Sequence, residues 1–169
     1  TGVNNRARMV TSAKMAGGVS QSPDMSWLVN GAAQTDDPAV MINDKQYAVL
    51  IPGCSLAKPQ KRWPADRFAA MGNELAARGF EIVLVGTADD RDAVNAVLAA
   101  SPDAIDLCGK TNLAGLARLL GGAAFVIGND TGPMFLAART GVPSLIIMGP
   151  DTDPSMSAPK GAAASWLQG

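Results

Sequence analysis

Ala124-Phe-Val-Ile-Gly-Asn-Asp-Thr-Gly-Pro-Met-Phe-Leu-Ala-Ala-Arg-Thr140 is the stretch whose reading decides the fold. An apolar run, 124–128, stops at a small polar turn. A helical pattern over 133–140 then starts with proline in its first turn, where the missing N–H costs nothing. The first-turn amides of such a helix are unpaired and its dipole is positive there, so an anion is welcome. Thr131 offers a hydroxyl beside those amides, and Gly132 lets a phosphate approach the backbone. The competing reading is that Asp130 or Thr131 caps the helix, and spacing alone does not choose between the two.

Outward from this unit the same alternation repeats. Upstream, Tyr47–Ile51 is a short apolar run ending at Pro52-Gly53. A helical pattern follows, with Pro64 in its first turn, Phe68, Met71 and Leu75 on one face, and Gly79 as stop. Phe80–Val85 reads as a second strand, and Asp89 and Asp90 open a helix carrying Val94, Val97 and Leu98. A weak strand at 104–107 leads to Gly109. Asn112 caps a third helix, with Leu113, Leu116 and Leu120 inward. Downstream, 143–148 is a further strand. Strands alternating with helices predict right-handed crossovers and an α/β, Rossmann-like parallel sheet with helices on both faces. Continuous apolar strands fit a sheet covered on both sides. Ligands in such sheets bind beyond the carboxyl ends of the strands.

Residues 1–46 lack periodicity and are rich in Ser, Asn, Gly and Asp, with Met25, Trp27, Leu28 and Val29 as a small apolar cluster. They read as a linker or partly ordered segment, leaving 47–169 as the domain. The chain has 169 residues, enough for one buried core. A net charge of −1 with no block of like charges argues against nucleic acid, which demands a basic surface. No apolar run reaches the roughly 18 residues of a membrane span. Cys54 and Cys108 form no CxxC motif, so reduced thiols and a cytoplasmic location are expected. The absence of histidine removes the commonest general base and metal ligand. The chain opens at Thr1, and an upstream piece is expected to be missing.

Two further constellations stand at strand ends. Lys58-Pro-Gln-Lys-Arg-Trp-Pro64 follows the first strand, where a lysine such as Lys61 can neutralise a pyrophosphate. Its competitor is a solvated basic loop, with Trp63 packed on the domain. Thr87-Ala-Asp-Asp90 follows the second strand, where a carboxylate can accept from ribose hydroxyls; a helix cap is the alternative. Gly109-Lys110-Thr111 is no P-loop, because the leading glycine falls at Ala104. No GxGxxG follows the first strand, which disfavours a dinucleotide oxidoreductase. Asp151-Thr152-Asp153 fits a proline-flanked turn better than a metal site.

Pro52-Gly53, Lys61-Arg-Trp-Pro64 with Phe68-Ala69, Gly109-Lys-Thr-Asn-Leu113, Gly128-Asn-Asp-Thr-Gly-Pro-Met134, Leu136-Ala-Ala138 and Gly149-Pro150 follow one another in an order that resembles glycosyltransferase family 9. The best-known members of that family are the ADP-heptose:lipopolysaccharide heptosyltransferases, and the resemblance covers about residues 47–154. It implies the carboxy-terminal, donor-binding half of a GT-B enzyme. Lys61 would then contact the donor phosphates, while Asp130, Thr131, Gly132 and Pro133 hold the donor at the helix start. Asp90, or less readily Asp89, would take the ribose. The reaction it implies is inverting and metal-independent, with ADP-heptose as substrate and no cofactor. The acceptor, a lipid-linked glycan of the lipopolysaccharide core, and the general base would belong to a missing N-terminal domain, leaving no catalytic residue in this chain. Peripheral contact with the inner membrane is compatible with this.

Two departures qualify the likeness. Phe135 stands where the family usually has histidine, and the closing segment Gly149–Pro154 is one residue longer. Another nucleotide sugar, or a nucleotide-binding module without catalysis, is the alternative.

Overall fold

The computed structural model describes residues 11–17, 42 and 45–168. Residues 11–15 are helical. Most of the expected linker over 1–46, including the Met25–Val29 cluster, lies outside the described residues. No described helix is long and apolar enough to cross a membrane.

Six strands form one sheet: β1 (Tyr47–Ile51), β2 (Glu81–Leu84), β3 (Ile105–Asp106), β4 (Phe125–Asn129), β5 (Ser144–Met148) and β6 (Ala164–Gln168). Every neighbouring pair is parallel, and the order is β3-β2-β1-β4-β5-β6. The helices are α1 (Ala65–Ala77), α2 (Arg91–Leu98), α3 (Leu113–Gly122), α4 (Gly132–Thr140) and α5 (Pro154–Ser157). This is the doubly wound order of a Rossmann fold.

The two-residue period of β1 explains why it is apolar throughout. Tyr47, Val49 and Ile51 join a core with Leu119 and Leu120 of α3 and Met134 and Ala137 of α4. Ala48 and Leu50 point the other way, into a core with Phe68 of α1 and Val94 and Val97 of α2. All five β1 residues are buried. A polar residue at any of them would lose its water on one face or the other.

Local signals end and start the helices as the sequence suggests. Gly79, with φ of 93°, and Gly141, with φ of 82°, take the left-handed conformation that stops α1 and α4. Asn112 Oδ1 accepts from the Gly115 amide at 2.8 Å, capping α3.

Leu113 departs from the expected inward face. It is 64% exposed, while Leu119 and Leu120 are fully buried. At the first position of α3 it stands at the open carboxyl edge of the sheet, outside the packed layer. A further strand, β6, went unanticipated. It pairs with β5 from Ser144↔Ala164 to Met148↔Gln168, yet its Trp166 and Leu167 are 48% and 57% exposed. An edge strand exposed in this way lacks the burial pattern that marks strands from sequence.

At the opposite edge, Arg91 of α2 donates to Asp106 Oδ2 at 2.7 Å, and the Cys108 amide donates to Oδ1 at 2.9 Å. Burial pushes the Asp106 carboxyl up, but that amide together with Arg91 and Lys110 outweighs it and holds the group below its usual range. A depressed carboxylate stabilises the fold above its unfolded value, about pH 4, and loses that contribution as pH falls through the folded value. Thermal unfolding should therefore show Asp106→Asn melting below wild type at pH 7, with the gap closing in acid.

Candidate functional site

The winding reverses between β1 and β4. From β1 the chain turns to α1 on one face; from β4 it turns to α4 on the other. No helix can close over the carboxyl ends at that point, and a crevice results. A cavity of about 730 Å³ opens there, reaching from Gly53 and Gly86 to Leu113, Thr131 and Pro133.

Its acidic wall is Asp90. Oδ2 accepts from the Thr87 amide and the Thr87 hydroxyl, both at 2.9 Å. This closes a turn at Ala88–Asp90 just before α2. The carboxylate lies against two glycines: a Cβ on Gly53 would overlap it, and one on Gly86 would come within 2.9 Å of Asp90 Cβ. Glycine at both strand ends is thus a matter of close approach. Asp90 performs the capping task and also lines the cavity, leaving Oδ1 without a partner among the described residues. Asp89 is exposed at the same rim.

Thr131 is the N-cap of α4, yet its side chain makes no capping hydrogen bond. Asp130 does not cap either. Its carboxylate pairs with Lys61 Nζ at 2.5 Å, with the side chains 7% and 17% exposed respectively. Spacing leaves anion binding and capping open at this helix; among the described residues nothing bonds the first-turn amide of Gly132 or the Thr131 hydroxyl. A Cβ on Gly132 would meet nothing within 4 Å, so the approach to its backbone is clear.

Of the expected donor residues, Asp90, Thr131 and Pro133 line the cavity. Lys61 and Asp130 stand beside it, joined to each other, and Gly132 lies between Thr131 and Pro133 at the helix start. Lys61 is brought there by a turn at Pro59–Lys61, and Gly149 is packed against its stem. Trp63 does pack on the domain, edge-on to Phe68 with centroids 5.0 Å apart. Asp153 caps α5 by accepting from the Ser155 amide at 2.9 Å. Burial raises the pKa of both cysteines, so neither is a ready thiolate. Phe135 is half-exposed on α4.

Three features escaped the sequence reading. Leu56 and Leu113 form apolar, exposed lips to the cavity. Asn129, fully buried, donates to the Pro52 carbonyl at 2.8 Å and accepts from the Trp63 amide at 2.8 Å. Its position inside Gly128–Asp130 was visible, but nothing local tells that it bonds residues 66 and 77 positions away.

A six-stranded parallel sheet with a wide crevice at its winding reversal places the chain in the Rossmann-like class of α/β folds. Within that class the chain belongs to glycosyltransferase family 9 (heptosyltransferase), whose family model matches residues 5–167. It is 29% identical over 133 residues to lipooligosaccharide heptosyltransferase 2 of Haemophilus influenzae, covering 76% of this chain and 38% of that one. A solved glycosyl transferase family 9 structure from Veillonella parvula matches with a TM-score of 0.78 at 26% identity, covering 99% of this chain and 50% of that one. The E. coli ADP-heptose LPS heptosyltransferase II structure matches with a TM-score of 0.67 at 25% identity, covering 87% and 44%. The chain spans about a third of the length of the curated relatives it matches.

The glycine–aspartate contact gives a direct test. Gly53→Ala should expel the Asp90 carboxylate and lower stability by about 1–3 kcal/mol, the usual cost of overpacking. Urea denaturation measures this, and loss of the effect when Gly53→Ala is made on an Asp90→Gly background, which removes the Asp90 Cβ as well as its carboxylate, would identify the clash as its source.

Proposed function

We propose that this chain is the donor-binding portion of an inverting, metal-independent glycosyltransferase that moves heptose from ADP-heptose to a lipopolysaccharide core acceptor. Family membership supports the transferase class, and the name of the E. coli relative supports the donor. The observation that carries the reading is the cavity at the winding reversal, with Asp90 at one end and the open start of α4 at the other. In this reading the ribose hydroxyls donate to Asp90 Oδ1, and the donor phosphates lie at Thr131 and Gly132.

The chemistry is a displacement. An acceptor hydroxyl oxygen forms a bond to the anomeric carbon as the bond from that carbon to the diphosphate oxygen breaks. The electron pair leaves with the nucleoside diphosphate, and the acceptor proton passes to a base outside this chain. Negative charge therefore grows on the phosphate, where a fixed cation and oriented amides lower the barrier most. Lys61, paired with Asp130 beside Thr131, is the cation this reading assigns to the phosphates. Its charge is met by Asp130, so arriving phosphates would share or replace that partner. The nucleotide sugar is a substrate, and no cofactor enters the scheme. The acceptor, carried on a lipid, would be held by a second domain working at the inner face of the membrane.

Calorimetry on this chain with ADP and adenosine provides the test. Lys61→Ala should weaken ADP binding by about 1.5–3 kcal/mol, the worth of a charge-assisted hydrogen bond, and leave adenosine little changed. Equal losses for both ligands would remove Lys61 from the phosphate site. Product analysis with the complete enzyme then decides the sugar.

A further inference from the structure

We propose that Asn129 is a positioning residue: from inside the fold, it holds both ends of the loop that forms the front wall of the donor cavity and delivers Lys61. The inference rests on the donor-site reading above and adds a residue that does not line the cavity. Asn129 is 0% exposed. Its Nδ2 donates to the carbonyls of Pro52 at 2.8 Å and Gly53 at 3.3 Å, where the loop begins. Its Oδ1 accepts from the Trp63 amide at 2.8 Å, where the loop ends.

Between those anchors the chain has no strand partner, and Ser55–Gln60 is exposed. The loop is nonetheless tied to itself. Lys58 N donates to Ser55 O at 3.0 Å, Lys61 N to Lys58 O at 3.1 Å, and Arg62 N to Pro59 O at 2.9 Å. The Arg62 guanidinium closes it by donating to Cys54 O at 2.9 Å. A loop braced in this way is placed by its attachments to the sheet, which are Asn129 at both ends and the Lys61–Asp130 pair between them. The loop includes Gly53, Cys54, Ser55 and Leu56 on the cavity wall. It also includes Lys61, whose counter-charge Asp130 follows Asn129 directly on the same strand end.

An amide side chain suits the position. The site needs an acceptor for one N–H and a donor toward two carbonyls, from a short side chain. An aspartate keeps the acceptor and loses the donor; an alanine loses both.

Hydrogen exchange and ADP calorimetry on the same variants test this. The comparator is Val97→Ala, which lowers stability from the α2 layer, away from the loop. Asn129→Ala should speed amide exchange across 53–63 and weaken ADP binding by about tenfold, on the scale of one lost hydrogen bond to a charged group. Val97→Ala should leave both readouts as in wild type. Asn129→Asp should loosen 53–56 while the Trp63 amide stays protected. Exchange and affinity in Asn129→Ala that match Val97→Ala would overturn the proposal, as would a uniform loosening in Asn129→Asp. Failure of the wild-type chain to bind ADP counts against the donor-site reading instead, and exchange over 53–63 still decides whether Asn129 holds the loop.

Discussion

In this sheet β1 and β4 are neighbours, but the chain leaves them toward opposite faces. The rest of the site depends on that reversal. A helix crossing from β1 cannot cover the end of β4, nor can α4 cover the end of β1. The gap left between them is a consequence of burying both faces of a parallel sheet with one continuous chain. The core gains from the winding, since every side chain of β1 finds an apolar layer. The cost falls at the carboxyl edge, where backbone groups and loop ends lack regular partners and must be satisfied individually.

The polar side chains at that edge divide this work. Asp90 closes the turn before α2 and also lines the cavity. Asn129 satisfies backbone groups from two ends of one loop. Lys61 and Asp130 neutralise each other in a nearly dry environment. Removing one partner of such a pair is costly, because the other remains charged where water is scarce. In the donor-site reading proposed above, an arriving anion has to share or displace Asp130 to reach that cation. The start of α4 adds an uncommitted threonine hydroxyl and an unobstructed glycine.

Size and sign in the crevice follow from small residues. Gly53 and Gly86 let Asp90 sit across the ends of β1 and β2, and Gly128 lets α4 close down on β1, since a Cβ there would come within 2.8 Å of Met134 Sδ. Side chains at those three positions would push the acidic wall and the helix start away from the strand ends.

The sequence by itself determined the layered architecture, the strand ends at which a ligand could bind, and most helix boundaries. These are local: a two-residue or 3.6-residue period, a capping Asn112, a Gly79 past the end of α1. It also carried enough motif order to show the family. Tertiary structure alone decided the partnerships: Lys61 with Asp130 across 69 residues, Asp90 with Gly53 at the end of β1, Asn129 with both ends of a loop. It likewise decided that Leu113 faces outward and that Ala164–Gln168 pairs with β5. Periodicity reports which way a side chain points from its own element. It says nothing of what a crossover, ten or seventy residues later, brings alongside.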